Sequence, residues 1–412
     1  MSKQAITSKT GVWVIGASGE IATTMVVGAL AIRKGLADTT GFVTCMPPMA
    51  ELSLVTLDQL VFGGIDIRPV SLTESARNIA ANSRTFSRDI LDAVTPELDA
   101  LSEDIIIEKD LHWNPLKPAP SISLPALDEI VTRLRRHIRN FANKHGLQRI
   151  IVVNLASAEA HGSTTPAHEH LAGFEALIRE NRRELVSPSM CYAYAALLED
   201  CAHINFTPSP AATIGALQEL AATRNLPFYG DDGKTGETLV KTVLAPMFVQ
   251  RNLRVLSWEG INMLGNGDGK TLENPQNCEA KIRNKAEVLN NILGYRAHAD
   301  VDIKYVPSLG DWKTAWDLIH FAGFLNVPMT MQFTWQGCDS ILAAPLVLDM
   351  VRMGEYALRQ GESGPMHHLA SFFKNPVGVS EMALYPQFEM LLEYTYGHLR
   401  REQSKKKITP AC

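Results

Sequence analysis

Short apolar runs alternate with amphipathic helical stretches through the first 240 residues. The opening sets the pattern: GVWVIG (11–16) is an apolar run, ASGE (17–20) a turn, and IATTMVVGALAIRKG (21–35) a helical stretch stopped by glycine. A second strand-like run, GFVTCM (41–46), follows, and residues 85–145 read as charged and helical. QRIIVVNLAS (148–157) is a β-branched run of the kind buried on both faces of a parallel sheet. A helix around 188–199, the strand and loop CAHINFTP, the helix TIGALQELAATRN and the strand and loop LPFYGDDG continue the alternation. Parallel strands need crossover helices, so this order predicts a doubly wound, Rossmann-like α/β sheet over 1–240.

The texture changes after residue 240. NLRVLSWEGIN, VDIKYVPS and VPMTMQFTW come close together as strands, predicting a second, α+β domain over 241–338. Residues 339–412 read as a helical segment that packs back on the first domain. At 412 residues the chain is long for one core, which agrees with an interrupted arrangement.

The net charge of −5 argues against a nucleic-acid surface, which needs a basic excess. The six cysteines form no C-x-x-C pair, so neither a zinc site nor a disulfide framework is expected. Without a signal-peptide core or an apolar stretch long enough to span a bilayer, the chain reads as cytoplasmic, with no membrane partner.

Gly16, Ala17, Ser18, Gly19, Glu20 and Ile21 follow a strand and open a helix, the context in which backbone N–H groups approach a pyrophosphate. The spacing is G-x-x-G-x-x-A and not the full fingerprint, so a plain strand–helix turn stays open. GFVTCM, read as the second strand, ends without the acidic residue that usually contacts the ribose. GDDGKTG (230–236) follows another strand and reads either as an anion-binding nest or as a polar turn. Gly265–Gly269 lacks the run of carboxylates a calcium loop needs. His161, His168 and His170 have no metal-ligand spacing and read as a polar loop, so no metal is expected. In NPQNCEAKIRNKAEV (274–288), Lys281 and Lys285 lie one helical turn apart, a like-charge spacing that is mildly unfavourable unless an anion uses it. Lys313 is the third basic candidate.

Together, FGGIDI (62–67), VVNLAS (152–157), INFTPSP (204–210), GDDGKTGET (230–238), INMLGNGDGKTLENP (261–275), KIRNK (281–285), KYVPSLGDWK (304–313) and CDSILAAPLVLD (338–349) resemble the inositol-phosphate synthase family in order and spacing. The resemblance implies a Rossmann domain interrupted by a catalytic and tetramerisation domain, with bound NAD regenerated in each turnover. It also implies isomerase chemistry on a sugar phosphate: oxidation of glucose 6-phosphate at C5, enolate attack on C1, and reduction to inositol phosphate. The product feeds inositol and phospholipid synthesis.

By the same resemblance Lys285, Lys313, Thr235, Gly236 and Glu237 hold the phosphate, and Lys281 serves the reacting carbons. Asp311 orients Lys313. Asp232, Asn266, Asp268, Asp339 and Ser340 lie around nicotinamide and substrate. Asn154, Ala156 and Thr207 line the cofactor path, and Asp66 takes the ribose role. Thr235 and Glu237 stand where the family has serine and glutamine. A further family lysine aligns near Ser380, with Lys374 the nearest replacement. A related enzyme on another sugar phosphate, or a noncatalytic NAD or sugar-phosphate binder, stays open on sequence alone.

Overall fold

The computed structural model describes residues 8–111, 113–116, 124–159, 164–265 and 288–408. Two sheets organise them. The larger contains β1 (Thr10–Ile15), β2 (Leu60–Asp66), β3 (Ile105–Ile107), β4 (Arg149–Asn154), β5 (Ala202–Asn205) and β6 (Pro227–Tyr229). Its order is β6-β5-β4-β1-β2-β3, parallel throughout, with a two-residue β11 (Gly364–Pro365) beside β6.

Side-chain alternation along β1 builds both layers of core. Val12 and Val14 pack on one face of the sheet, while Trp13 and Ile15 pack on the other. The first face is covered by α1 (Glu20–Arg33) and by a long helix near the C-terminus, α9 (Asp339–Gln360). The second face is covered by α4 (Leu127–His145), α6 (Pro188–Leu198) and α7 (Gly215–Thr223). Helix α2 (Leu72–Ser83) and α3 (Arg88–Ser102) follow β2, and α5 (Leu171–Arg179) precedes α6. Helix α8 (Gly236–Gln250) leaves β6 and leads to the second sheet.

That sheet has the order β10-β9-β7-β8, from β7 (Arg254–Leu264), β8 (His298–Tyr305), β9 (Trp312–Ala322) and β10 (Pro328–Cys338). The β9 strand is absent from the sequence reading, although Lys313 lies on it. One face packs Trp258, Ile319 and Phe321 against Ala245 and Phe248 of α8. The chain then enters α9, which returns to the first sheet and accepts hydrogen bonds on buried Asp349 from the Val43 and Thr44 amides at 2.7 and 3.1 Å. Helix α10 (Leu384–Ile408) closes the chain.

The second strand requires a correction. GFVTCM forms no strand: Val43–Cys45 is a single 3₁₀ turn. The real β2 is LVFGGID, whose paired glycines mask its strand character. Both glycines are there for space. A Cβ on Gly63 would meet the Phe141 ring at 2.5 Å, and one on Gly64 would meet the Val14 carbonyl oxygen at 2.1 Å. The tight β1–β2 approach brings Asp66, the last residue of β2, beside the turn after β1.

Gly64→Ala is therefore expected to cost about 3 kcal/mol or more, because backbone of the neighbouring strand, and not a movable side chain, occupies the new methyl's place. A urea midpoint unchanged from the parent would refute this account of β2.

Candidate active site

The glycine turn sits at the carboxyl end of β1, where doubly wound sheets place ligands. Gly16 adopts φ +79, a left-handed conformation suited to glycine. A Cβ there would meet the Ala156 backbone at 3.1 Å, so β4's following loop presses directly on the turn. The amides of Gly16 and Ala17 donate to the Ile65 carbonyl, and the Ser18 amide donates to Asp66 Oδ2 at 2.9 Å. Asp66 is thus the acidic end of the second strand, and it braces the turn. Glu20 and Ile21 open α1, whose N-cap Gly19 contributes no side-chain hydrogen bond. The first amides of α1 remain without a side-chain cap and present a partial positive charge, suited to a pyrophosphate. These residues fit a dinucleotide.

A polar chain runs from there along the carboxyl ends of β4, β5 and β6. Asn154 donates to Asn205 Oδ1 and to Ser189 Oγ, and accepts from the Ala156 amide on its Oδ1. Asn205 donates to Asp231 Oδ1 at 2.6 Å, and Thr207 donates to Asn205 Oδ1. The Asp232 amide donates to the Thr207 carbonyl. Three strand spacings separate β1 from β6, so this row extends roughly 14 Å from the glycine turn. Burial pushes the Asp231 carboxyl up to about 7, against the lowering effect of the Asn205 bond. Partly buried Glu159 accepts from the Ser189 amide, and desolvation raises it to about 7 as well.

The GDDGKTG loop lies at the far end. Residues 372–377 run beside it and make five backbone hydrogen bonds: Lys234 to Phe372, Lys374 to Asp232, Asp231 to Asn375, Asn375 to Asp231, and Val377 to Gly230. This lays Lys374 over the loop, with Nζ 2.9 Å from Asp232 Oδ1. Ser380, by contrast, is exposed. Lys374 therefore brings a cation to this end of the site. Lys234 points the other way, donating to Gln387, and its burial lowers it to about 7.

Thr235 and Gly236 start α8, again without a side-chain cap. Lys313, Asp339 and Trp335 converge on Gly236: a Cβ there would lie 3.6 Å from Asp339 Oδ1, 3.7 Å from Trp335 Nε1 and 4.0 Å from Lys313 Nζ. Lys313 pairs with Asp339 Oδ2 at 3.5 Å, and Thr235 Oγ1 donates to Asp339 Oδ1 at 3.4 Å. An ammonium, a hydroxyl, an indole N–H and a helix start without a side-chain cap gather around one small residue, a donor cradle suited to an oxyanion.

Two sequence expectations are corrected here. Glu237 is not part of the cradle. It is fully buried, pairs with Lys241 at 2.6 Å and accepts from Asn262, with Asp317 completing the cluster 3.7 Å from Lys241. Its carboxylate holds α8 to the second sheet. Asp311 accepts from the Ser340 amide and hydroxyl and from the Cys338 thiol, while Lys313 takes Asp339 as its partner. Asp311 thus fixes Asp339 and Ser340 at the α9 N-terminus, and acts on Lys313 through that helix start. Of the histidines, His168 is buried on Thr165 and the Leu185 carbonyl, and His170 is exposed; His161 lies outside the described residues. So do Asn266, Asp268, Lys281, Arg283 and Lys285.

An acid whose folded pKa lies above its unfolded value binds more protons when folded, so stability falls as pH rises between the two. For Asp231 that window runs from about 4 to about 7. Asp231→Asn should flatten the fall in this window by up to about 1.4 kcal/mol per pH unit, read by urea unfolding at stepped pH. An unaltered slope would contradict the protonated, buried Asp231.

Comparison with known proteins agrees with this geometry. The myo-inositol-1-phosphate synthase family model, an NAD-binding model, matches residues 10–394. Inositol-3-phosphate synthase 1 of Bacteroides thetaiotaomicron is 36% identical over 391 residues, covering 90% of each chain. Inositol-3-phosphate synthase 1 of mouse is 31% identical over 80% of this chain, which spans 60% of the mouse protein's length. The crystal structure of inositol-3-phosphate synthase from Caenorhabditis elegans superposes with a TM-score of 0.82 at 25% identity, over 94% of this chain and 85% of that one.

Proposed function

The chain belongs to the myo-inositol-1-phosphate synthase family, and we infer from its site that it isomerises glucose 6-phosphate to inositol 3-phosphate with NAD. The observation that carries this reading is the pairing of two uncapped helix starts, one beside Asp66 and one inside the Lys313 cradle, at opposite ends of a single polar row. Such a site takes a dinucleotide and a phosphorylated substrate together.

When bound, NAD supplies reversible hydride transfer at C5 of the open-chain sugar. The chain's residues do the rest. Lys313, Thr235 and the α8 amides hold the phosphate, joined by Lys285 according to the family resemblance. This fixes C5 and C6 relative to the polar row and turns an intramolecular attack into an oriented one. Lys374, held on Asp232, faces the charge that develops on oxygen during enolisation and ring closure, with Lys281 in the same role. Two contacts support the glucose 6-phosphate reading: Glu237 faces Lys241 and not the cradle, and Lys374 lies on Asp232 as the candidate for the further family lysine.

The active form is an oligomer, most simply the family's tetramer. One face of the second sheet packs on α8, but the other carries Ile261, Met263, Trp316 and Leu318 along its two central strands without a covering layer among the described residues. A second copy covers that row. The free thiols of Cys45, Cys191, Cys201 and Cys338 favour the cytoplasm, and no helix among the described residues is long and apolar enough to cross a membrane.

Purified protein with NAD and glucose 6-phosphate should release inositol phosphate, followed by phosphorus NMR; a complete absence of product would sink the reading. Lys313→Ala is expected to raise KM about tenfold or more, whereas Lys374→Ala lowers kcat by about a hundredfold with little change in KM. A reversed pattern would exchange their roles. Trp316→Glu should shift sedimentation from tetramer toward smaller species, and a monomeric parent would refute the interface.

A further inference from the structure

The tryptophan of the GDWK motif has no part in the cradle, yet it sits next to Lys313 at the start of β9. Consecutive strand residues point to opposite faces, so Trp312 turns away from the cradle while Lys313 turns into it. Trp312 is 41% exposed, but its one polar atom is committed: Nε1 donates to the Ser83 carbonyl at 2.7 Å. That carbonyl belongs to the last residue of α2, where helix carbonyls have no partner within the helix. The same residue takes a second bond, its Oγ accepting from the Asp311 amide at 3.2 Å. The turn before β9 presses on it as well. A Cβ on Gly310 would lie 3.1 Å from the Asn82 carbonyl oxygen and 3.4 Å from Ser83 Oγ. Ser83 is thus the seat on which the start of β9 rests.

The seat is fixed to the first sheet. Ser75, on the same helix, donates to the Ser18 carbonyl of the glycine turn at 3.0 Å and accepts from Thr23 of α1 at 2.9 Å. From Ser75 to Ser83 the helix runs roughly 12 Å. On the other side, Trp312 pairs with Cys338 in the β9–β10 ladder, and Cys338 precedes Asp339, the partner of Lys313. Both members of the Lys313–Asp339 pair therefore adjoin the strand position that the indole anchors.

We propose that Trp312 is a positioning residue for the substrate phosphate: its bond to Ser83 fixes where β9 presents Lys313, measured from the glycine turn through α2. This rests on the reading of the Lys313 cradle as the phosphate site. Trp312 acts through Lys313 and not on the substrate itself. One neutral hydrogen bond is worth roughly two- to tenfold in an affinity, so its loss costs less than loss of the lysine.

The test is calorimetry of glucose 6-phosphate binding to the full chain with NADH present, which cannot accept a hydride. Trp312→Phe keeps an aromatic ring and removes the N–H. It should weaken glucose 6-phosphate about fivefold and leave the NADH affinity within about twofold of the parent. In turnover with NAD the same variant should raise KM by a similar factor with kcat nearly unchanged. Placed in the Lys313→Ala background, Trp312→Phe should have no further effect, because the group it positions is gone. An undiminished loss in that background would overturn the proposal, as would a parent-like affinity in Trp312→Phe or an equal loss of NADH binding. If the parent does not bind glucose 6-phosphate, or Lys313→Ala binds it as tightly as the parent, the cradle reading falls and the proposal falls with it.

Discussion

The site depends on residues 372–377 lying against residues 230–234. Five backbone hydrogen bonds across that seam hold a loop in which Asp232 takes φ +62, a left-handed conformation that aspartate tolerates better than most residues with a side chain. The seam satisfies the loop's peptide groups, which would otherwise be buried without partners. It also delivers Lys374 to the carboxyl end of the sheet from a segment 142 residues away. The helix that carries the chain there, α9, runs across the first sheet and is pinned by Asp349 to the loop after α1. The catalytic end and the cofactor end are therefore parts of one packed body, and neither can be loosened without moving the other.

Anion recognition in this mildly acidic chain is local. Helices α1, α8 and α9 all start without a side-chain cap, and all start along the carboxyl-end rim or at the second sheet's last strand. Helix starts of this kind are stable when an anion or a carboxylate completes them. Asp311 completes α9 by accepting from the Ser340 amide. The start of α8 is aimed by the buried cluster that Glu237 and Lys241 of this helix form with Asp317 of β9. Burying three charges costs desolvation that their mutual attraction only about repays. What the cluster provides is a fixed orientation of the helix against the sheet.

The repeated strand–helix pattern made the first sheet legible from sequence, since apolar runs such as RIIVVN are hydrophobic throughout and bounded by turn residues. β2 escaped because its two glycines, required by the backbone of β1 and the ring of Phe141, carry no hydrophobic signal. β9 escaped because WKTAWDLIHFA alternates charged and apolar residues around a buried Asp317, whose partner Trp258 lies 59 residues away. The phosphate cradle was legible through its motifs, but the partners of its charges were not. Sequence adjacency joined Asp311 to Lys313, yet Asp311 precedes β9, and its carboxylate accepts from Ser340 at the start of α9. The choice of Asp339 for Lys313 is tertiary, set by where α9 begins.

Among the described residues, the lysines and arginine facing the ligand path each have an aspartate beside them: Arg68 with Asp66, Lys374 with Asp232, Lys313 with Asp339. A half-buried cation alone would be poorly solvated and mobile, and its carboxylate holds it in place at little net cost. The same carboxylate weakens every anion that approaches. A singly charged group gains little by replacing it, whereas a phosphate dianion presents more charge and three oxygens to the same donors. Pairing therefore does more than store the cations. It tunes the site against carboxylate metabolites and toward phosphates, and it does so at the two ends where dinucleotide and sugar phosphate carry theirs.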